Sequence, residues 1–181
     1  IARLLATATN MAFEPVSAVF DGVAELRKVF AQAEARQAEG QRTLLFVDEV
    51  HRFNKAQQDG LLPRVEDGTV TLVGATTENP SFALNGALLS RVQVLVLNRL
   101  DQAALAKILA RLEIHIGRSL PLDEEARTVL FDMADGDGRY LLNIASVLVE
   151  LPAGDRIDST ALASIVAGRA PAFDRAGDQH F

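Results

Sequence analysis

The stretch Thr43-Leu44-Leu45-Phe46-Val47-Asp48-Glu49 decides the fold. A short apolar run with no polar alternation is the pattern of a strand buried on both faces, and this one ends in two carboxylates. Working outward, Thr69-Val70-Thr71-Leu72-Val73-Gly74-Ala75 repeats the pattern and is entered from the turn signal Asp67-Gly68. Val92 to Leu97 is a further run rich in Val and Leu, and Phe13 to Ala18 is a short strand whose Pro15 suits an edge position. Helix-length segments separate them. Gly22 to Gln37 carries Val23, Leu26, Val29 and Phe30 at helical spacing, and Asn54 to Val65 is the second. Buried strands alternating with helices predict an α/β layer around a parallel sheet.

From Asp101 onward the period changes. Leu105, Ile108, Leu109 and Leu112 fall at i, i+3, i+4 and i+7, with Asp101 placed as an N-cap. Asp123 caps a second helix carrying Val129, Leu130 and Met133. Tyr140 to Leu151 is a third, stopped by Pro152, and Ser159 to Ala167 a fourth, with Gly168 as its stop signal. The expected organisation is an α/β core over residues 1–98, an all-helical domain over 99–168, and a linker over 169–181.

Composition narrows the function classes. With 181 residues, 49% hydrophobic and 23% charged, the chain is neither disordered nor collagen-like, and its length supports a core without staples. The absence of Cys removes disulfides, thiolate metal sites and a Cys nucleophile together. No stretch approaches the roughly 20 apolar residues of a membrane span. The net charge is −6; residues 1–100 carry 11 acids and 10 bases, and 101–181 carry 13 and 8, so neither half reads as a basic DNA-binding module.

Asp48 and Glu49 stand at the C-terminal edge of a parallel sheet, where open α/β folds bind ligands. Their chemical reading is a Walker B pair: Asp48 helps hold the Mg²⁺ on a nucleotide, and Glu49 orients and polarises the attacking water. The plain alternative is a strand that ends in a solvated turn. The next strand ends in Thr76 and Thr77 at the same edge, where a hydroxyl can bond a water or a phosphate oxygen; a turn or helix cap is the alternative there. Arg91, just before the Val92–Leu97 run, can neutralise transition-state charge in a neighbouring subunit's site, against the alternative of a surface ion pair. His51, Arg52, Asn54 and Lys55 read as a solvated helix start, with coupling of the site to DNA or a neighbour as the other reading.

LLFVDEVHRFNKAQQDGLLPRVEDGTVTLVGATTENPSFALNGALLSR (44–91) resembles the AAA+ ATPases of the replication-associated recombination protein A group. The wording FVDEVHRFNKAQQD followed by VEDGTVTLVGATTENPSF is far more specific than either acidic pair or GATT alone. Ile1 to Ala6 is similar to the helix after that family's phosphate-binding loop, and FEPVSAV (13–19) to its second strand. Ala170-Pro171 with Gly177-Asp178-Gln179-His180 resembles the segment leading to its oligomerisation domain.

The resemblance implies a P-loop NTPase core followed by a helical lid. Asp48 and Glu49 match the Walker B pair, Thr77 the sensor-1 position, Arg91 the arginine finger acting on the adjacent subunit, and Arg139 the sensor-2 arginine. Around Arg139 the chain departs from the family, with Gly138 where Ala is usual and Tyr140 where a second Arg is usual. No Gly-x-x-x-x-Gly-Lys-Ser/Thr occurs in the 181 residues. The resemblance implies that this loop, and a central strand leading into it, lie before Ile1, leaving a gap in the sheet and an inactive fragment.

The function so implied is ATP hydrolysis between subunits of a homo-oligomer acting on single-stranded or fork DNA at stalled replication forks. ATP and Mg²⁺ are the cofactors, single-strand-binding protein is a candidate partner, no membrane is involved, and the place is the bacterial cytoplasm at the nucleoid. A clamp-loader subunit and a Holliday-junction branch-migration motor are the alternatives among motors. A nucleotide-independent adaptor keeping only the shape is the alternative from another class.

Overall fold

A computed structural model describes the backbone of residues 1–151 and 156–176, with side chains up to 168. Pro152 and the Gly177–His180 segment lie outside the described residues. The chain forms two compact units, residues 1–95 and 96–181.

The first unit is α/β, as expected. In chain order it contains α1 (Ala2–Ala8), β1 (Ala12–Ser17), α2 (Val23–Ala38), β2 (Thr43–Asp48), a 3₁₀ turn (Val50–Arg52), α3 (Lys55–Glu66), β3 (Val70–Gly74), α4 (Pro80–Ala83) and α5 (Gly86–Leu89). The three strands are parallel in the order β1-β2-β3, so Pro15 does sit on an edge strand. β2 alternates between two apolar layers. Leu45 and Val47, both 0% exposed, join Val16, Leu26, Val29, Ala33 and Leu61 on one side. Leu44 and Phe46 face α1 on the other, among Ala2, Ala6 and Phe13. Asn54 opens α3 with a capping box: it accepts from Gln57 N–H, and the Gln57 side chain accepts from Asn54 N–H, both at 2.9 Å.

One expected strand does not form. Residues 92–97 are not a strand, and Val94, Leu95, Val96 and Leu97 are 47–79% exposed. The physical reason is pairing. A strand exists by exchanging backbone hydrogen bonds, and among the described residues nothing pairs with this segment or with the outer edge of β3. β-propensity marks a segment that suits a sheet but cannot supply the neighbour.

The second unit contains α6 (Gln102–Ile116), α7 (Glu124–Ala134), α8 (Gly138–Val149) and α9 (Ser159–Ala176) around a core of Leu105, Leu109, Leu130, Leu141, Ile144 and Leu148. Asp101 and Asp123 cap as read, each accepting an N–H at 2.7 Å. Two boundaries move. The third helix starts at Gly138 rather than Tyr140, because Asp137 accepts from Arg139 N–H and Tyr140 N–H at 2.8 and 3.1 Å. Asp135 and Gly136 precede it with φ of 44° and 79°, a left-handed pair that turns the chain tightly. The fourth helix passes through Gly168 to Ala176 and enters the segment expected as a linker. A glycine inside a helix costs only about 1 kcal/mol relative to Ala and stops it only where a left-handed C-cap forms. Among the described residues no helix is long and apolar enough to cross a membrane.

An unpaired strand edge and an exposed apolar segment predict self-association of these 181 residues. Sedimentation should show concentration-dependent association, and hydrogen exchange should protect α6, α7 and α8 more than the outward amides of β3. A monomer with β3 protected as strongly as α8 would contradict this.

Candidate active site

The strand register aligns Ser17 with Asp48 and Val47 with Gly74, so three loops leave the sheet side by side at its C-terminal edge. The ladder continues one step beyond β2. Ala75 N–H donates to Val47 O and Val50 N–H donates to Ala75 O, both at 2.9 Å, while Ala18 N–H donates to Asp48 O at 3.0 Å. Glu49 lies between these bonds in a left-handed conformation, φ 51° and ψ 47°. Such a conformation costs a non-glycine residue roughly 1–2 kcal/mol and persists where the surroundings enforce it. The enforcement here comes from Val50, 3% exposed, which packs against Gly74. A Cβ at residue 74 would come within 3.2 Å of Val50 Cγ1, so glycine lets the turn seat on the end of β3.

Three of the sequence-read site residues come together on this edge. Thr77 donates to Glu49 Oε2 through its N–H at 3.4 Å and its hydroxyl at 3.3 Å. Asp48 ends β2, half-buried, and its carboxylate has no hydrogen-bond partner among the described residues. No cluster of three or more His, Cys, Asp or Glu side chains that could hold a metal alone occurs among the described residues. The Asp48 carboxylate, unpartnered at the sheet edge, has the chemistry to contact Mg²⁺, which takes one or two carboxylates and keeps much of its water.

Arg91 does not join this cluster, and Arg139 is described within its own unit. Arg91 follows α5, exposed, and pairs with Glu66 at the end of α3; its guanidinium also donates to Ala87 O at 2.9 Å and Ser90 Oγ at 3.1 Å. Arg139 belongs to the second unit, exposed in the first turn of α8. At Gly138 a Cβ would stand 3.0 Å from Ile108 Cδ1 and 3.1 Å from Leu100 Cδ1, so a larger residue there would need those side chains to shift.

Family comparison assigns this architecture. The model for the ATPase family associated with various cellular activities (AAA) matches residues 1–100, and that for the AAA C-terminal domain matches residues 116–181. The chain belongs to the AAA ATPase family. Within it, the resemblance to replication-associated recombination protein A is borne out. The Haemophilus influenzae protein of that name is 40% identical over 190 residues, covering 100% of this AAA chain and 43% of its own length. That of Escherichia coli is 39% identical over 191 residues with the same coverage. The ATPase WRNIP1 of Dictyostelium discoideum is 42% identical over 154 residues, 83% of this chain and 18% of that protein. The chain thus spans less than half the length of these relatives. A solved structure of a Thermotoga maritima RuvB variant shares the fold, with a TM-score of 0.68 at 22% identity over 92% of this chain and 56% of that one.

The structure corrects the reading of His51 as part of a solvated helix start and adds one residue, Gln58, that the sequence did not single out. Arg52, Asn54 and Lys55 are exposed, as a solvated start requires, but the His51 side chain is 5% exposed. It lies in the 3₁₀ turn against Thr76, and no periodicity marks it. Gln58 is 4% exposed and satisfied on both ends: its amide donates to Phe53 O at 3.0 Å and Ala83 O at 3.1 Å, and its carbonyl accepts from Asn85 N–H at 2.8 Å. The available signal was a polar residue three positions before Leu61 on the buried stripe of α3. Asn85 in turn caps α5 by accepting from Leu88 N–H at 2.7 Å, so Gln58 seats the helix that leads to Arg91.

Gln58→Ala strands three backbone groups at once. Chemical denaturation should show a loss of about 2 kcal/mol or more, and Gln58→Leu should not recover it, because volume is not what is missing. A loss below about 0.5 kcal/mol, the size of an ordinary surface change, would show that these bonds contribute nothing net.

Proposed function

We propose that this chain is the Walker B-bearing core and helical lid of an ATPase that acts on DNA during replication and recombination, as the names of its relatives suggest, and more specifically at stalled forks. Its working form in this reading is a homo-oligomer in the bacterial cytoplasm at the nucleoid, engaging single-stranded or fork DNA, with single-strand-binding protein as a candidate partner. The observation that carries the proposal is Glu49: a carboxylate held in a strained left-handed turn, bonded to Thr77 and beside the unpartnered carboxylate of Asp48. A nucleotide-independent adaptor has no use for that arrangement.

Mg²⁺-bound ATP supplies the phosphoryl group and part of the charge neutralisation. Asp48 is the residue that would hold the cation. Glu49 accepts a hydrogen bond from the attacking water and orients it. Thr77 reports the phosphate by exchanging its bond to Glu49 for one to a phosphate oxygen. Arg91 serves the neighbouring subunit's site, and Arg139 contributes from the lid. The 181 residues contain no Gly-rich loop ending in Gly-Lys, so the phosphate grip in this reading comes from outside them.

In the full-length protein, Glu49→Gln should bind ATP and lose turnover by roughly 10²- to 10⁴-fold, since the amide keeps the shape and loses the basic oxygen. Full turnover in that variant would refute the catalytic reading.

Arg91→Ala should be inactive alone too, by roughly 10³-fold or more. Mixing it with Glu49→Gln separates the two geometries. If Arg91 acts across an interface, mixed oligomers contain interfaces with an intact Glu49 and an intact Arg91, and activity returns. No recovery on mixing would place Arg91 in its own subunit's site.

A further inference from the structure

His51 lies two residues after Glu49, and its ring is almost enclosed. Nδ1 is 2.9 Å from Thr76 Oγ1 and 3.2 Å from Glu49 Oε2, and Nε2 is 3.5 Å from Glu78 Oε1. The Thr76 hydroxyl oxygen also accepts from Glu78 N–H at 3.0 Å. The imidazole therefore joins the turn after β2 to the loop after β3. Nδ1 is hydrogen-bonded to Thr76 Oγ1 and lies 3.2 Å from Glu49 Oε2, and an Nδ1–H is the form in which both oxygens serve as acceptors.

We infer that His51 is a positioning residue for Glu49, its Nδ1–H holding Oε2 against the β3 loop so that Oε1 faces the attacking water. The inference rests on the proposed role of Glu49. All the contacts that Glu49's carboxylate makes among the described residues fall on Oε2: His51 at 3.2 Å and Thr77 at 3.3 and 3.4 Å. When the Thr77 hydroxyl turns to a phosphate, His51 is the side chain that remains. A glutamate is rich in rotamers, and a misplacement of about 1 Å can cost about a hundredfold in rate.

The test uses three variants of the full-length protein. His51→Asn places an amide N–H near the Nδ1 position, His51→Gln places it near Nε2, and His51→Ala removes both. Ala and Gln should lower kcat roughly 10- to 100-fold with little change in the KM for ATP, and Asn should recover most of what Ala loses. Equal losses in all three, or a change confined to KM, would overturn the inference.

A second readout needs neither nucleotide nor turnover. Long-range ¹H–¹⁵N correlation on the nucleotide-free protein should find the His51 proton on Nδ1, with a resonance that moves in Glu49→Gln. A proton on Nε2 alone, or no response to Glu49→Gln, would overturn the tether even if the Ala variant fails to fold. Full turnover in Glu49→Gln would remove the reading of Glu49 beneath it. Impaired Glu49→Gln with unchanged kcat in His51→Ala would remove the role of His51 alone.

Discussion

The structure of the first unit depends on the enclosure of β2. It is paired along both edges, and its side chains are buried on both faces, Leu45 and Val47 completely. Burying such a side chain contributes about 1.5–3 kcal/mol, so a slip of one residue, which would exchange the two faces, is strongly resisted. The register that results is also the chemistry. It fixes where the strand runs out, and so fixes Asp48 and Glu49 against the ends of β1 and β3. The backbone bonds that continue past the strand, from Ala75 to Val47 and from Val50 to Ala75, carry that rigidity into the turn itself.

What was legible in the sequence follows from the same physics. An unbroken apolar run between turn signals announces a doubly buried strand, and two acids at its end announce a polar edge, so β2, β3 and the places of Asp48, Glu49, Thr76 and Thr77 at that edge could be read, while the choice of Thr77 came from the family resemblance. Capping residues marked helix starts at Asp101 and Asp123 because their side-chain bonds are local. Val92–Leu97 misled because propensity describes the segment and not its partner. Gly168 misled because the residue type signals a stop only with a left-handed backbone. His51 was misread as solvated and Gln58 went unread because the partners that bury them, Thr76 and Glu78 for one and Ala83 and Asn85 for the other, lie more than 20 residues away and are brought there only by folding.

Helix ends in the second unit are set by local bonds, while its shared apolar core joins the helices. Aspartates 101, 123 and 137 each accept an N–H within the next three residues, and Gly117 ends α6 with φ 70°. Among its side-chain ties, the Arg127 guanidinium pairs with Glu113 at 2.5 Å, while the same Glu113 oxygen accepts Leu120 N–H at 2.8 Å. This ties α6, the loop after it and α7 through one carboxylate.

α3 has the character of a ruler. Its first turn follows directly on the Glu49–His51 turn, and its last residue, Glu66, pairs with Arg91. Twelve residues at about 1.5 Å each set these two ends about 18 Å apart. The arithmetic of a helix makes that length discrete. Removing one residue would shorten the span by about 1.5 Å and swing Glu66 about 100° around the axis, away from Arg91, while the acidic turn stayed in place. In an oligomer where Glu49 faces one nucleotide and Arg91 the next, the spacing between successive sites would be counted in whole residues of a single helix.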